Sequence, residues 1–269
     1  MYIDSHAHIF FEEFSEDLGE VLRRAREAGV TAIVVPGTNL ETSRKAIELA
    51  EAHDTIYACV GFHPHDAVAA TDEGLAQIEE MSRHPKVVAI GEIGLDFFYD
   101  VSPRERQFDV FRKQLAIAVR SELPVVVHTR DSIPEALEEV GKISEEHDRW
   151  RSSGYGRGSV QGARGVFHCF SGTEDQARIL FSYGFFVSYP GIVTFKNSSV
   201  LTTLQSIGHE HILLETDSPF LTPVPFRGKR NEPSNIPLIA TKIAEVLGTT
   251  PGIVAAQTSA NTRHLFSLP

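Results

Sequence analysis

Short apolar segments alternate with longer segments of helical periodicity along the chain. Eight of the apolar segments have the length and β-branched content of strands. Several are continuously hydrophobic, which is typical of parallel strands covered on both faces. The predicted strands are Tyr2–Ser5, Ala32–Pro36, Tyr57–Gly61, Val87–Glu92, Pro124–His128, Gly165–Cys169, Phe185–Ser188 and Ile212–Thr216. The pattern therefore predicts a parallel sheet that is covered by helices.

The segments between the predicted strands place apolar residues on one face of a helix. The first such face consists of Phe14, Leu18, Val21, Leu22 and Ala25. Ser15 is the predicted N-cap of this helix, and Gly29 marks its predicted end. Ser102-Pro103-Arg104-Glu105 predicts a capping box with proline at the first helical position, and Thr250-Pro251 predicts the start of the last helix.

The repeated alternation indicates the fold class. Strand and helix alternate eight times within 269 residues, which predicts an α/β protein with a TIM (β/α)₈ barrel that forms a single domain over residues 1–269. A doubly wound open sheet is the alternative architecture. The sequence shows no internal repeat beyond this alternation and no linker that would divide it.

The segment from Asp148 to Arg164 departs from the alternation, because it is rich in Arg, Gly and Ser and has no period. It follows a predicted helix and precedes a predicted strand, so a barrel would place it on the N-terminal face, away from catalysis. A solvated loop is the simpler interpretation, and contact of Arg149, Arg151 and Arg157 with a nucleic acid is the alternative.

Composition narrows the class of protein without indicating an activity. The chain is 42% hydrophobic and 23% charged, as in soluble proteins, and we expect a cytoplasmic location because no leader or bilayer-spanning apolar run is visible. Cys59 and Cys169 lie in apolar runs and are predicted to be buried, free thiols. A net charge of −11 argues against a protein that coats nucleic acid with a basic face. A phosphate-bearing substrate is compatible with this charge if bound cations reverse the local potential.

Residues of the types that bind metals occur where the predicted strands end. His6 and His8 end the first strand, and their spacing of two places both imidazoles on one side of an extended chain. The fourth, fifth, sixth and eighth strands end in Glu92, His128, His168 and Asp217. Because the carboxyl ends of barrel strands meet at one mouth, these side chains are predicted to converge.

Each of these residues taken alone has a structural explanation, such as a core histidine bonded to a carbonyl group, a glutamate paired with arginine, or an aspartate that caps a helix. Their common placement at the same end of each strand favours a joint metal site. Six ligands exceed the needs of one tetrahedral zinc ion, so two divalent cations are predicted. His6, His8 and Asp217 are assigned to one cation, His128 and His168 to the other, and Glu92 to both.

A pair of cations at this site would bind a phosphodiester, lower the pKa of water toward neutrality and stabilise the leaving oxygen. Asp217 is the predicted base that takes the proton from the attacking water, and Asp217 and Glu92 are the predicted catalytic residues. Four imidazoles and two carboxylates suit Zn²⁺, Mn²⁺, Fe²⁺ or Ni²⁺. Mg²⁺ prefers oxygen ligands and would act as an added, labile ion.

The motifs and their order resemble those of the TatD family of metal-dependent deoxyribonucleases, which belongs to the amidohydrolase-like metal barrels. The matching motifs are His6-Ala-His8, Gly61-Phe-His63-Pro-His65, Gly91-Glu92-Ile-Gly94-Leu-Asp96, His128-Thr-Arg130-Asp131, His168-Cys-Phe-Ser171-Gly172 and Glu215-Thr-Asp217-Ser-Pro219. The resemblance extends from Met1 to about Phe266. It implies a TIM barrel, a divalent metal centre and hydrolysis of DNA, in some members from 3′ to 5′ on single strands. The residues at the family's metal positions are the six selected above, and the 148–164 segment is longer than is usual in the family.

Further side chains are predicted to face the same mouth. His63 and His65 follow the third strand, and the resemblance implies that they contact the substrate phosphate. Two exposed imidazoles in a turn are the alternative. Arg130 lies just beyond the fifth strand and is predicted to neutralise phosphate, or else to pair with Asp131 or Asp96.

Two further groups near the predicted ligands are predicted to support the site. Glu215 shares a strand face with Asp217 and is predicted to orient a ligand histidine, with an arginine partner as the alternative. The aromatic residues after the fourth strand, Phe97, Phe98 and Tyr99, are predicted to stack on unpaired bases. A hydrophobic plug is the alternative for these three rings.

The loop after the eighth strand contains a basic cluster. Arg227, Lys229 and Arg230 lie within four residues of one another, at the end of the barrel where catalysis is expected. They are predicted to bind substrate phosphate as a clamp. A solvated charged loop is the alternative.

These residues are consistent with three functions. The predicted function is hydrolysis of phosphodiester bonds in DNA, with single-stranded ends as the expected substrate and a monomer favoured as the oligomeric state. The alternative keeps the site and changes the bond, as in a metal-dependent amide or ester hydrolase such as a D-aminoacyl-tRNA deacylase, an activity associated with some TatD-like proteins. A binding protein with a vestigial site is disfavoured by the presence of all six ligand residues.

Overall fold

The computed structural model describes residues 1–99, 101–151 and 162–269. It contains one sheet of eight parallel strands in which each strand pairs with its neighbours in the sequence. The strands are β1 Tyr2–Asp4, β2 Val30–Pro36, β3 Ile56–Val60, β4 Val87–Asp96, β5 Val125–Arg130, β6 Gly165–Phe167, β7 Phe185–Tyr189 and β8 Ile212–Leu214. The predicted TIM barrel is confirmed. The doubly wound alternative is wrong, because its strand order would not follow the sequence.

The barrel closes where β8 meets β1. The Ser5 amide donates to the Leu214 carbonyl at 2.9 Å, and Ala7 and Ser218 form a parallel bridge. At least one residue from each strand joins a single apolar cluster, which Phe266, near the end of the chain, also enters. That cluster is the barrel interior, because side chains from all eight strands can meet only there.

Helices surround the strands as predicted. Those in the described residues are α1 Leu18–Glu27, α2 Leu40–Ala52, α3 Asp72–Met81, α4 Arg104–Ser121, α5 Ile133–Glu146, α6 Asp148–Arg151, α7 Glu174–Ser182, α8 Val200–Ile207, α9 Ile236–Leu247 and α10 Pro251–Phe266. Short 3₁₀ turns lie at Glu12–Phe14, Pro64–Ala69, Gly191–Thr194 and Pro233–Asn235. A second apolar cluster, between the strands and the helices, includes Val127 of β5 and Phe111 of α4.

The predicted cap of the first helix is wrong. α1 begins at Leu18 and not near Ser15, because the Ser15 hydroxyl donates to the Glu12 carbonyl at 2.7 Å and closes the preceding 3₁₀ turn. The helix ends at Glu27, and the positive φ of Gly29 two residues later agrees with the predicted end.

The predicted capping box of the fourth helix is also wrong. α4 begins at Arg104 without a side-chain cap, because the Ser102 hydroxyl donates instead to the His65 carbonyl at 2.9 Å. The start of α10 is confirmed, since the Thr250 side chain accepts a hydrogen bond from the Ile253 amide.

Strand β4 is longer than predicted, so Glu92 lies inside it and not at its end. The register of β4 against β5 shifts between Ile90 and Ile93, because β4 advances by three residues over this stretch while β5 advances by two. Such a bulge changes the direction of the side chains around it. Beyond the bulge, Gly94 has a φ of +142°, and a Cβ atom there would lie 2.0 Å from the His128 carbonyl oxygen. Glycine therefore allows β4 and β5 to run this close beside His128.

The segment predicted to be irregular begins with the short helix α6, whose Trp150 side chain is buried. Residues 152–161, which include Arg157, lie outside the described residues. The alternative that this segment contacts a nucleic acid therefore stays a prediction.

Two predictions from composition are tested by the fold. Cys59 and Cys169 are free thiols as predicted, but only Cys59 is buried, and Cys169 is partly exposed. Among the described helices, no single one has the length and apolar character to cross a bilayer, and only Pro233–Leu247 and Pro251–Phe266, bent by 111°, meet those criteria as a pair.

Candidate metal centre

Strand alternation directs the predicted ligands into the mouth of the barrel. Val126 and Val166 face the barrel interior. His128 of β5 and His168, which directly follows β6, lie two residues further along and on the same side. The His6 ring, which follows β1, stacks on the His168 ring with centroids 4.0 Å apart. The first-strand histidines and the later ones therefore open on one side of the molecule.

The Glu92 carboxylate lies between two sets of imidazoles. Its Oε2 atom is 3.4 Å from Nε2 of both His6 and His8. Its Oε1 atom is 2.9 Å from Nε2 of His168 and 3.0 Å from Nδ1 of His128. Burial alone would raise the pKa of Glu92, but the surrounding imidazoles hold it well below its ordinary value. The result is an ionised carboxylate with one oxygen directed at each set of rings.

Hydrogen bonds on the far side of two rings decide which nitrogen is free to bind a metal. Nδ1 of His8 donates to the Pro36 carbonyl at 3.2 Å, which leaves Nε2 unprotonated in the neutral ring. Nε2 of His128 donates to Oδ2 of Asp96 at 3.0 Å, which leaves Nδ1 unprotonated. In both histidines the free nitrogen faces Glu92, as a metal ligand requires.

His63 lies at the mouth and faces Glu92 directly, a contact with a predicted ligand that the sequence analysis does not include. Its Nε2 atom lies 3.5 Å from Oε1 of Glu92, and these two residues form a possible metal group with His128. Nδ1 of His63, however, accepts a hydrogen bond from the His65 amide at 3.2 Å, so the neutral ring carries its proton on Nε2. This tautomer favours a hydrogen-bond donor to substrate, the predicted role, over a metal ligand.

Glu215 lies behind His168 at the base of the centre. Its Oε1 atom accepts from the Cys169 amide at 2.6 Å and is 3.8 Å from Nδ1 of His168, while Oε2 accepts from the Ser188 hydroxyl at 2.7 Å. Burial would raise the pKa of Glu215, but the nearby His168 lowers it below its ordinary value. A buried, ionised and firmly held carboxylate is suited to orient the His168 ring, and this role of Glu215 stays a prediction.

The histidines differ in how readily they hold a proton. Burial, with repulsion from a neighbouring ring, lowers the pKa of His8 to about 3, and burial lowers the pKa of His63 well below its ordinary value. Burial also disfavours the charged form of His168, but Glu92 and Glu215 outweigh it and raise the pKa of His168 well above its ordinary value. A cation that binds through His168 must therefore displace a proton.

Asp217 lies on the solvent side of the centre. Its Oδ1 atom is 3.7 Å from Nε2 of both His6 and His8, and its side chain is 14% exposed, compared with 4% for Glu92. Its φ of +54° lies in the left-handed region, which is unfavourable for most L-residues and recurs at active sites. Burial raises the pKa of Asp217 to about 6. Asp217 is therefore the more accessible of these two carboxylates.

Two aspartates without a predicted site role hold the centre together. Asp4 accepts from the Thr216 hydroxyl at 2.6 Å and from the Thr216 amide at 2.9 Å, which joins β1 to the chain after β8. Asp96 accepts from Nε2 of His65 at 2.9 Å as well as from His128. One sequence feature could have indicated both residues, since each is an aspartate at the end of an apolar strand. Such a carboxylate is unfavourable to bury without a partner.

The donor set fits a divalent metal centre. Neutral ring nitrogens combined with carboxylate oxygens suit first-row transition metals. Nε2 of His6 and Nε2 of His8 lie 3.1 Å apart, which is close to the separation of two nitrogen ligands on one tetrahedral zinc ion. His6, His8 and Glu92 form one possible metal group, Glu92, His63 and His128 form a second, and His6, His168 and Glu215 form a third. The first two groups share Glu92, as expected from its two directed oxygens.

We expect Asp96→Asn to weaken metal binding without removing a predicted ligand. The Asp96 carboxylate accepts the Nε2 proton of His128 and thereby keeps Nδ1 free, and an amide enforces that tautomer less strongly. The Kd for Zn²⁺, measured by competition with a chelating dye, should rise about 10- to 100-fold.

Asp131→Asn is the matched control for this variant. Asp131 is an exposed aspartate just beyond β5, and its φ of +55° is one that Asn also adopts readily. Its Kd for Zn²⁺ should equal that of the wild type. A Kd that is unchanged in Asp96→Asn would show that the carboxylate has no part in holding the ring.

Arg130 is held at the mouth by aromatic rings. Its guanidinium lies over Phe98 and Tyr99, 4.1 and 4.6 Å from the ring centroids. Within the described chain it forms neither of the ion pairs considered for it, with Asp131 or with Asp96, and it is exposed. Its charge is thus available to substrate, and the exposure of Phe98 and Tyr99 disfavours a hydrophobic plug.

The basic loop after β8 does not act as a single clamp. Arg227 and Lys229 are exposed, and the Arg227 guanidinium lies 3.8 Å from the centroid of the Phe195 ring. Arg230 instead pairs with both carboxylate oxygens of Asp17, at 2.8 and 2.7 Å. This contradicts the predicted phosphate contact of Arg230, because its charge is already neutralised within the protein.

Comparison with known proteins finds relatives over the whole chain. Residues 3–267 match the family described as TatD related DNase. The chain is 42% identical over 269 residues to the uncharacterized metal-dependent hydrolase YabD of Bacillus subtilis (strain 168), with 100% of both chains covered. It is 34% identical over 263 residues to the 3′-5′ ssDNA/RNA exonuclease TatD of Erwinia tasmaniensis, covering 95% of this chain and 96% of that one. The crystal structure of YJJV, a TatD homolog from Escherichia coli K12, matches with a TM-score of 0.89 and 31% identity, covering 100% of this chain and 98% of that one.

Proposed function

Because the chain belongs to the TatD related DNase family, which includes metal-dependent hydrolases, we propose that it hydrolyses phosphodiester bonds in single-stranded DNA. The observation that carries the proposal is the position of Glu92, whose two carboxylate oxygens face different sets of imidazoles. A carboxylate in this position is suited to be shared by two divalent cations, and a cation pair suits displacement at phosphorus.

We assign the residues around Glu92 to two cations. His6, His8 and Asp217 would be further ligands of the first, and His128 and His168 would be further ligands of the second. When bound, such cations neutralise phosphate charge and lower the pKa of water towards neutrality. The nitrogens left free on His8 and His128 support this assignment, since each faces Glu92.

The remaining steps belong to side chains of the protein. Asp217, the more accessible carboxylate, accepts the proton of the attacking water. His63, with its proton on Nε2, donates a hydrogen bond to a phosphate oxygen. Arg130 contributes a positive charge at the mouth, and Glu215 keeps the His168 ring in place.

Features of the mouth favour a single strand over a duplex. Phe98 and Tyr99 are 55% and 44% exposed beside Arg130, and exposed rings next to a cation stack on unpaired bases. A net charge of −11 gives little support for holding a long duplex backbone by charge alone. One relative is named as an exonuclease of single-stranded DNA and RNA, which supports the same class of substrate.

The test is digestion of a labelled single strand by metal-loaded protein. With Mn²⁺, Zn²⁺ or Mg²⁺ the wild-type protein should shorten an end-labelled oligonucleotide, and EDTA should stop the reaction. The same sequence in a blunt duplex should be degraded at least about tenfold more slowly, because its bases are not free to stack on the protein. Glu92→Gln, purified in parallel, measures any contaminating nuclease.

Two outcomes would contradict the proposal. Equal digestion by the wild type and Glu92→Gln would show that the nuclease is a contaminant. Intact oligonucleotides under all three metals, together with release of the amino acid from a D-aminoacyl-tRNA, would assign the site to ester hydrolysis.

A further inference from the structure

A second cleft opens on the face of the barrel that carries the metal centre. It has a volume of about 440 Å³, within the range of ligand pockets, and the loops after β6, β7 and β8 form its walls. The residues that matter in its lining are Ser171, Phe195, Lys196, Asn197, Ser199 and Arg227. Ser171 follows His168 by three residues, so at most about 11 Å of extended chain separates the cleft from the centre.

The cleft carries positive charge in an acidic protein. Lys196 and Arg227 are exposed and have no carboxylate partner among the described residues, and no Asp or Glu lines the cleft. Arg230, by contrast, is neutralised by Asp17, and Arg227 is held over the Phe195 ring. In a chain with a net charge of −11, two unpaired cations in one cleft favour an anionic ligand.

Contacts between the loops keep the cleft in shape. The Thr194 side chain accepts from the Val224 amide at 2.9 Å, which joins the loops after β7 and β8. The same loops approach so closely at Gly191 that a Cβ atom there would lie 2.0 Å from the Leu221 carbonyl oxygen. Thr203 of α8 donates to the loop after β6 at 3.0 Å. A cleft with fixed walls loses little conformational entropy when a ligand binds.

The position of the cleft relative to Arg130 suggests the course of a bound strand. Arg130, Phe98 and Tyr99 lie beside the ends of β4 and β5, whereas Arg227 follows β8. In a closed barrel of eight strands, β4 and β8 lie on opposite sides of the mouth. A strand that contacts both cationic groups therefore passes over the metal centre.

On the basis of the function proposed above, we propose that this cleft is a second nucleotide subsite, in which Lys196 and Arg227 bind the phosphate of a nucleotide next to the one that is cleaved. The outer face of the Arg227 guanidinium is open for stacking of a base, as arginine planes do in complexes with single strands. Ser171, Asn197 and Ser199 supply hydrogen-bonding groups for phosphate and sugar.

The test measures binding separately from cleavage. A fluorescein-labelled oligo(dT) of about twelve nucleotides is titrated with protein in EDTA at several KCl concentrations, and anisotropy gives the Kd. The double variant Lys196→Ala/Arg227→Ala should raise the Kd about tenfold. It should also reduce the slope of log Kd against log salt by about 0.7, the value for one neutralised phosphate on a single strand.

A matched double variant controls for the change in net charge. Lys45→Ala/Arg83→Ala removes the same two charges from α2 and from the turn before β4, where both side chains are exposed and paired with glutamates. Its Kd and salt slope should equal those of the wild type. All four side chains are exposed, and thermal melting of each variant confirms that it is folded.

Failure of the subsite and failure of the proposed function give different results. An unchanged Kd and slope in Lys196→Ala/Arg227→Ala would overturn the subsite, and so would wild-type protein that does not bind the oligonucleotide in EDTA. Cleavage of the same oligonucleotide by the wild type with Mn²⁺ tests the proposed hydrolysis separately. Binding that depends on Lys196 and Arg227, without cleavage under any metal, would support the subsite and overturn the hydrolysis.

Discussion

Glu92→Gln should lose bound metal together with nearly all hydrolysis. The variant keeps the shape of the side chain but removes the negative charge that lies between the two sets of imidazoles. It also replaces one of the two directed oxygens by an amide nitrogen that cannot accept a metal bond. We expect metal content to fall close to zero and kcat/KM on a single-stranded oligonucleotide to fall at least about 10³-fold.

Thermal melting measures the loss of metal independently of activity. At 100 times its Kd, a ligand stabilises the folded state by about 2.7 kcal/mol, which raises the Tm of a protein of this size by about 5–10 °C. Zn²⁺ should therefore raise the Tm of the wild type by this amount and leave the Tm of Glu92→Gln unchanged. A Glu92→Gln protein with wild-type metal content and a wild-type shift would show that Glu92 is not a shared ligand.

Glu139→Gln is the matched control, because it makes the same change at a carboxylate outside the centre. Both side chains are 4% exposed, and Glu139 of α5 pairs with Arg112 and Lys142 in the helical layer. Loss of those ion pairs should lower the Tm with and without metal. The rise in Tm caused by Zn²⁺ should remain, which separates loss of metal from loss of stability.

The convergence of the ligands could be predicted from the sequence because it depends on two regular features. Side chains alternate along a strand, so His128 and His168 share a face with the interior residues Val126 and Val166. Parallel strands in a barrel all end at one mouth, so residues that follow different strands meet there. Neither feature needs information about contacts between distant residues.

What could not be predicted depends on such distant contacts or on a local irregularity. The bulge in β4 that places Glu92 inside the strand arises from the pairing of β4 with β5, which no pattern within residues 87–96 encodes. Arg230 reads as a free basic residue until Asp17, 213 residues earlier, is found beside it. The proton on Nε2 of His63 is decided by a hydrogen bond from the His65 backbone amide, and side-chain types give no sign of it.

The same distinction applies to the two carboxylates that are predicted to be catalytic. Both were selected as acidic residues near the ends of apolar strands, and that criterion does not distinguish their roles. Their surroundings differ, since Glu92 is enclosed by rings on both sides and Asp217 reaches the solvent side. The structure therefore predicts that their variants fail in different ways.

Asp217→Asn should lower the rate while much of the metal stays bound. The amide oxygen can still act as a ligand, but the side chain can no longer accept a proton from water. We expect kcat on a single-stranded oligonucleotide to fall about 10²- to 10⁴-fold, the usual contribution of a general base. KM and metal content should change much less, and Asp131→Asn should leave all three unchanged.

The pH dependence of kcat provides the sharper test of the base. If Asp217 is the base, kcat of the wild type falls as pH falls through the pKa of this group, because the protonated carboxyl group cannot accept a second proton. Burial places that pKa at about 6, and positive charge bound beside it moves the acidic limb to lower pH. Asp217→Asn should lack the limb. If Asp217→Asn keeps an acidic limb at the same pH as the wild type, the base is another group. If Asp217→Asn loses all of its metal, the main role of Asp217 is to bind metal and not to accept a proton.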